Sequence, residues 1–180
     1  NNLAQRNYKE IVISGIHLCS YGKEKGEDIM YLLDLLRDIS KIPGIERIRL
    51  GSLEPKSLTR DFIKGLYEIG KICPHFHLSL QSGSDSVLKR MNRKYNSSEY
   101  LDRVDILREY FPTMSLTTDI ICGFPEETEE EFNETLDFVK KAAFTKIHVF
   151  PYSKRPGTRA AAMKGQIPER IKTERVARLE

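Results

Sequence analysis

The chain has 180 residues, of which 39% are apolar and 31% charged, a composition typical of one folded globular domain. Its 29 basic and 26 acidic residues give a net charge of +3, too balanced to indicate that the whole surface binds nucleic acid. The sequence shows no signal peptide and no apolar run near the roughly 18 residues that cross a bilayer, so we predict a cytoplasmic protein without membrane association. Because it begins with Asn1 rather than Met, we interpret it as a piece of a longer protein.

Five stretches are predicted to be β-strands from their apolar alternation and β-branched content. They comprise residues 10–18, 47–53, 75–81, 115–122 and 146–152. Each gap between them is long enough for a crossover helix, and apolar residues recur there at helical spacing. Local caps mark three helix starts, at Thr59, at Asn96 with Glu99, and at Thr128 with Glu131. This alternation predicts an α/β fold with parallel strands and right-handed crossovers, either a doubly wound sheet or a barrel.

The predicted strands have a polar face that an ordinary parallel sheet would lack, because strands covered by helices on both sides are nearly continuous aliphatic runs. The apolar face is expected at Val12, Ile16, Ile48, Leu50, Phe76, Leu78, Leu80, Leu116, Ile120, Ile147 and Val149, and the polar face at Gly15, His17, Arg47, Arg49, His77, Ser79, Gln81, Thr117, Asp119, His148 and Tyr152. Burying an unpaired polar group costs about 1–3 kcal/mol. The polar face therefore predicts a barrel or half-barrel whose lumen holds water, a hydrogen-bond network or a ligand, and it is equally compatible with an open sheet whose strands are half-exposed.

Four of the strands run directly into small or polar residues. The segments are GIHLCSYG, GSLEP, QSGSD and CGFPEET. Glycine lets a backbone approach a ligand closely, and ligands of α/β folds bind at the carboxyl ends of strands. Each segment alone is compatible with an ordinary turn, but the four together favour a functional rim.

The three cysteines, Cys19, Cys73 and Cys122, are 54 and 49 residues apart. This spacing forms neither a disulfide framework nor a CxxxCxxC metal motif. We therefore predict structural thiols and no metal site in this chain.

The last predicted helix, residues 168–180, is rich in both signs of charge. Its basic residues Arg170, Lys172, Arg175 and Arg178 are interleaved with glutamates. A solvent-exposed face is favoured there over an RNA-binding patch.

Taken together, the segments GIHLCSYG, RIRLGSLEP, CPHFHLSLQSGSDSVLKRMNRKY, TTDIICGFPEETEEEF and HVFPYSKRPGTRAA resemble the radical S-adenosylmethionine methylthiotransferases. RLGSLEP with CPHFHLSLQSG is most similar to the bacterial enzymes that thiomethylate N6-threonylcarbamoyladenosine at tRNA position 37. Relatives directed at isopentenyladenosine or at a ribosomal protein fit the second motif less well. The resemblance implies a partial (β/α)6 TIM-like barrel without its first strand over residues 1–165. It also implies that residues 166–180 form a helix leading toward an RNA-binding domain outside this chain.

The resemblance further implies the chemistry of the full-length enzyme. Its cofactors would be S-adenosylmethionine and two [4Fe–4S] clusters whose ligands lie outside this chain, and its partners would be an electron donor and the tRNA anticodon loop. The reaction would insert a methylthio group at C2 of the adenine. We expect the piece itself to be inactive because it lacks CxxxCxxC, and to self-associate through the strand edge exposed by the missing strand.

We assign roles to individual residues only at positions where this sequence matches the motifs of the family that it resembles. Gly15 is expected at the methionine end of the cofactor, Glu54, Gln81, Ser82 and Ser84 at its ribose and carboxylate, Ile121 and Gly123 at its adenine, and Asp119 and Tyr152 nearby; Arg93, Lys94 and Arg155 are candidates for RNA contact. No catalytic residue is assigned. Glu126 stands where the family usually has a glycine, a change expected to affect the local turn.

Two other interpretations remain open. The chain is also compatible with a non-catalytic RNA-binding or scaffolding barrel that never carried a cluster. A metal-free enzyme acting on a phosphorylated metabolite is the third alternative, but it lacks a general base, because His17, His77 and His148 have no neighbouring carboxylate in the sequence.

Overall fold

The computed structural model describes residues 2–22, 24, 26 and 29–180. Its helices and strands, in chain order, are α1 (Asn2–Gln5), β1 (Glu10–Ile13), α2 (Met30–Ser40), β2 (Arg47–Leu50), β3 (Ser52–Leu53), α3 (Arg60–Ile69), β4 (His75–Leu78), α4 (Asp85–Arg90), α5 (Ser97–Tyr110), β5 (Ser115–Cys122), α6 (Glu129–Ala142), β6 (Lys146–Pro151), α7 (Arg159–Ala162) and α8 (Glu169–Leu179). The chain divides into two compact units. The first contains the residues up to Leu78 together with Asp102–Leu116, and the second contains Ser79–Leu101 and Thr117–Glu180.

The first unit carries two parallel strand pairs. β1 pairs with β2 in the register Ile11↔Ile48, and β3 pairs with β4 in the register Ser52↔His77. The helix α2 packs against both α3 and β2. Leucine and phenylalanine side chains of these helices are fully buried, each contributing about 1.5–3 kcal/mol by leaving water.

The second unit is built on the parallel pair β5 and β6, in the register Thr118↔Ile147. Gln81 adds a single parallel bridge to Ile120 on β5. α6 begins with a complete capping box, in which the Thr128 hydroxyl accepts from Glu131 N and the Glu131 carboxylate accepts from Thr128 N. Such reciprocal capping depends on sequence alone, which is why this helix start was predictable.

The predicted alternation of strands and helices is confirmed, with differences at the ends of elements. β5 has the predicted bounds. The predicted strand 47–53 divides at Gly51, whose N–H donates to Ile13 O, and the predicted strand 10–18 ends at Ile13. The short helices α1, α4 and α7 were not predicted, because four to six residues carry too little periodicity to be recognised.

The expected apolar face is largely buried, as at Ile48, Phe76 and Ile120. Val12 and Ile16 are exceptions, with 57% and 110% of their surface exposed. The prediction was wrong for Ile16 because the strand ends three residues earlier, so the alternation no longer applies to it.

The prediction that α8 is a solvated charged helix was wrong for two of its residues. Lys172 and Arg175 are each only 4% exposed. They lie three residues apart, which places them on one face of the helix. That face packs into the second unit and carries the contacts described below.

Candidate functional site

In the first unit, a side-chain contact joins two of the glycine-containing segments. His17 Nε2 lies 2.9 Å from Glu54 Oε1, and both side chains are about half exposed. Glu54 N also donates to Cys19 Sγ at 3.4 Å. The carboxylate partner of His17 was missed from the sequence because it lies 37 residues away. Gly15 lies two residues before His17, and a side chain there would meet no other described residue within 4 Å.

In the second unit, Gln81 has a left-handed backbone with φ +76°. Its N–H donates to Asp119 O at 2.8 Å and its carbonyl accepts from Ile121 N at 2.9 Å. A non-glycine residue in this conformation costs about 1–3 kcal/mol, and such strain concentrates at binding and active sites. The two backbone hydrogen bonds to β5 hold Gln81 in this conformation.

The residues after Gln81 are hydrogen-bonded to side chains of α6. The Ser82 hydroxyl lies 3.2 Å from Thr135 Oγ1, which also accepts from Gly83 N at 3.1 Å. The Ser84 hydroxyl donates to the Glu134 carboxylate. Both serine hydroxyls therefore have protein partners, and their proposed cofactor contacts stay predictions.

The turn that follows β5 is held by a buried carboxylate. Glu127 Oε2 accepts from Gly123 N at 2.9 Å and from Phe124 N at 3.2 Å. Glu127 Oε1 lies 2.9 Å from Arg175 Nη1, and the two side chains are only 4% and 5% exposed. Burial raises the pKa of Glu127, although Arg175 and the two backbone donors oppose that shift.

Lys172 packs directly on this turn. Gly123 has φ +71°, and a Cβ at this position would lie 2.5 Å from Lys172 Cγ. The Lys172 ammonium donates to Tyr152 O at 2.9 Å and to Glu169 Oε1 at 2.7 Å. The space that Gly123 leaves by having no side chain is therefore filled by Lys172 of α8. The roles of Glu127, Lys172 and Arg175 were missed from the sequence, which shows them only as members of a charged pattern.

Tyr152 lies beside the same turn. Its N–H donates to Cys122 O, and its ring packs edge-on against Phe124 with centroids 5.4 Å apart. Its hydroxyl is buried and has no hydrogen-bond partner among the described residues. An orphaned buried hydroxyl costs about 1–3 kcal/mol, so a ligand that satisfied it would regain that energy.

The remaining predicted residues are less enclosed. Asp119 and Ile121 are half-buried, on the opposite side of β5 from the buried Ile120. Arg93 is half-buried in the turn after α4, and Lys94 donates to Asn92 Oδ1. Arg155 is exposed after β6. The second unit thus brings together Gln81, Asp119, Ile121, Gly123 and Tyr152 at the carboxyl end of β5 and β6.

Residues 2–139 match the family described as the radical SAM superfamily. The chain belongs to this superfamily. Radical SAM enzymes use S-adenosylmethionine and a [4Fe–4S] cluster.

Solved radical SAM enzymes share its fold. Coproporphyrinogen III oxidase from Escherichia coli superimposes with a TM-score of 0.70 at 21% identity, over 94% of this chain and 38% of that enzyme. The radical S-adenosylmethionine methyltransferase TsrM from Kitasatospora setae also gives a TM-score of 0.70, at 15% identity over 89% of this chain and 31% of its own. The predicted α/β fold class, with parallel strands flanked by helices, is confirmed.

The chain is more similar in sequence to two kinds of curated enzyme. The tRNA-2-methylthio-N(6)-dimethylallyladenosine synthase of Acetivibrio thermocellus is 46% identical over 98% of this chain and 37% of its own length. The threonylcarbamoyladenosine tRNA methylthiotransferase MtaB of Thermotoga maritima is 46% identical over 97% of this chain and 39% of its own. The chain therefore spans less than two fifths of the length of either relative.

Of the two radical SAM cofactors, the described residues fit S-adenosylmethionine but not the iron–sulfur cluster. Cys19, Cys73 and Cys122 are free and buried, and burial raises the pKa of Cys122 to about 12, which opposes the thiolate form that iron needs. No three candidate ligands converge on one point among residues 2–22, 24, 26 and 29–180, so these residues do not fit a cluster. S-adenosylmethionine fits better, because the strained Gln81 and the orphaned Tyr152 hydroxyl lie in the unit that carries the predicted adenine turn. No helix of the described residues is long and apolar enough to cross a membrane.

Proposed function

We propose that this chain is the S-adenosylmethionine-binding part of a tRNA methylthiotransferase. The observation that carries this proposal is the 46% identity, over nearly the whole chain, to a tRNA-2-methylthio-N(6)-dimethylallyladenosine synthase and to a tRNA methylthiotransferase. Their shared substrate class is tRNA, which also supports a cytoplasmic location. The two [4Fe–4S] clusters, the electron donor and an RNA-binding domain beyond residues 166–180 belong to the proposal for the whole protein.

The proposed target is C2 of N6-threonylcarbamoyladenosine at position 37 of the anticodon loop. The segments RLGSLEP and CPHFHLSLQSG support this target. The dimethylallyladenosine enzymes are equally identical to this chain, so the alternative target has to be distinguished by experiment.

The proposed role of this chain is to bind and orient S-adenosylmethionine. Gln81, Asp119, Ile121, Gly123 and Tyr152 would hold it, and the pair of Glu127 with Arg175 would keep the adenine turn in shape. When bound, S-adenosylmethionine supplies the methyl group and the 5′-deoxyadenosyl group of the reaction.

The remaining residue assignments rest on the motif resemblance. Gly15 and Glu54 of the first unit are proposed as cofactor-binding residues, and Glu54 already has an ordered partner in His17. Ser82 and Ser84 are proposed as cofactor ligands that would exchange their present partners on α6. Arg93 and Lys94 are proposed to contact RNA.

The test uses the full-length protein encoded by the native gene. After anaerobic reconstitution with iron and sulfide, we expect S-adenosylmethionine to be converted to 5′-deoxyadenosine. Mass spectrometry of nucleosides from tRNA carrying threonylcarbamoyladenosine or dimethylallyladenosine then identifies the target. Failure to form 5′-deoxyadenosine, together with salt-dependent tRNA binding, would favour the non-catalytic RNA-binding barrel instead.

A further inference from the structure

The segment between β6 and α8 concentrates positive charge. Residues 153–168, here named the basic loop, contain Lys154, Arg155, Arg159 and Lys164. They contain none of the 26 acidic residues of the chain. The basic loop therefore carries +4, and since the whole chain carries +3, the rest of the chain carries −1.

These four cations have no carboxylate partner among the described residues, and all four are exposed. Three other arginines of the second unit, Arg90, Arg175 and Arg178, each pair with a glutamate. Arg90 pairs with Glu131, and Arg175 pairs with Glu127. Charge that is left unpaired and accessible creates a positive potential that attracts an anionic partner.

The backbone that presents the cations is held in place. Thr158 Oγ1 donates to Arg155 O at 2.8 Å and accepts from Ala161 N at 3.2 Å. The Gln166 amide donates to Met163 O at 2.9 Å. Because these bonds order the basic loop before any ligand arrives, less conformational entropy is lost on binding.

The basic loop lies beside the proposed cofactor turn. Its Ala160 and Met163 pack against the apolar cluster formed by Val87, Phe124 and Tyr152, against which Ile121 also packs. A groove of ≈ 640 Å³ on the basic loop is lined by Lys154, Pro156, Gly157, Thr158, Arg159, Ala161 and Ala162. Two of its lining residues, Lys154 and Arg159, are exposed cations.

We propose that the basic loop binds the phosphate backbone of the RNA substrate next to the cofactor turn. This inference rests on the proposed function, which supplies RNA as the substrate class. Phosphates are the main source of protein–RNA affinity and are contacted by arginine and lysine. A membrane surface fits less well, because none of the large apolar side chains found exposed in the described part of the chain lies in the basic loop.

The test compares two full-length variants that lose the same charge. The first replaces Lys154, Arg155, Arg159 and Lys164 with glutamine, and the control replaces the exposed Lys89, Lys140, Lys141 and Lys146 with glutamine. Binding to a tRNA transcript is measured between about 50 and 200 mM salt, where each lost phosphate contact lowers the slope of log K against log salt by about 0.7–0.9. S-Adenosylmethionine affinity and the thermal midpoint are measured in parallel.

We expect the basic-loop variant to lose about two or more units of slope and at least tenfold in tRNA affinity at the lower salt, with S-adenosylmethionine affinity and the thermal midpoint unchanged. The control should lose less than one unit. Equal losses of salt slope and tRNA affinity in both variants, or no loss in the basic-loop variant, overturn the inference while leaving the proposed function intact. A wild-type protein that binds S-adenosylmethionine but no tRNA overturns both, and binding of the basic loop only to anionic vesicles would assign it to a membrane.

Discussion

The buried ion pair between Glu127 and Arg175 should control the stability of the turn after β5. Replacing Arg175 with methionine keeps an unbranched side chain as far as the ε position but removes the guanidinium cation, leaving the Glu127 carboxylate buried and still bonded to Gly123 N and Phe124 N. Breaking a buried pair by removing one partner costs about 3–5 kcal/mol. Because the two side chains are 5% and 4% exposed, solvent offers little screening, and the lower end of this range is a minimum expectation.

Hydrogen exchange of the Gly123 and Phe124 amides in the full-length protein measures this effect locally. A loss of about 3 kcal/mol in local opening free energy corresponds to an increase of roughly a hundredfold in their exchange rate. Arg178→Met is the matched control, because Arg178 lies on the same helix and pairs with Glu129, but both side chains are substantially exposed. A surface pair is worth about 0–1 kcal/mol, so the control should change exchange by no more than about fivefold.

The same variant should be sensitive to pH. Burial raises the pKa of Glu127, and Arg175 opposes that shift. Without Arg175 the folded-state pKa rises further above the unfolded value, so the folded state binds more protons and stability falls as pH rises through the raised pKa. After correction for intrinsic exchange rates, protection in Arg175→Met should be greater near about pH 5 than near about pH 8. Equal exchange in Arg175→Met and Arg178→Met, with no excess pH dependence, would refute the reasoning.

Three further predictions use the same part of the structure. Gly123→Ala should lower the free energy of unfolding, measured with denaturant on the full-length protein, at least twice as much as the control Gly70→Ala. The control should cost about 1 kcal/mol, because an alanine at φ +71° is strained. Gly123 has the same φ, but a Cβ there would also collide with Lys172. Gln81→Gly should raise the thermal midpoint, because glycine adopts the left-handed backbone conformation without strain. The same change should weaken S-adenosylmethionine binding, and an unchanged affinity in equilibrium dialysis would contradict a cofactor role for Gln81. Glu126→Gly should stabilise by about 1 kcal/mol, because Glu126 has φ +65°, and a lower denaturant midpoint would contradict this.

Glu126 has a left-handed backbone with φ +65°, a conformation that glycine adopts at lower cost than other residues. Its N–H donates to Gly165 O, which supports the turn from the other side. A Cβ on Gly165 would lie 2.7 Å from Glu126 Cγ, so the glutamate side chain occupies the space that Gly165 leaves open. The turn thus accommodates a non-glycine residue in the left-handed conformation.

The helix starts could be predicted because capping is local. Thr59 accepts from Phe62 N, and the capping pairs of Asn96 with Glu99 and of Thr128 with Glu131 both form. The partners lie three residues apart, so no information from the rest of the fold is needed. The family was recognisable for a related reason, since the rim segments are long and keep their order along the chain.

The sequence by itself determined the alternation of strands and helices, the buried faces of the central strands and the membership of the radical SAM superfamily. Only the tertiary structure decided that His17 meets Glu54, that Lys172 covers Gly123, and that Arg175 is buried against Glu127. Periodicity is a property of neighbouring residues, whereas these partners lie between 37 and 49 residues apart. A charged helix has the same pattern in solvent as against a protein, and the difference arises only when the fold supplies a buried carboxylate for it to pair with.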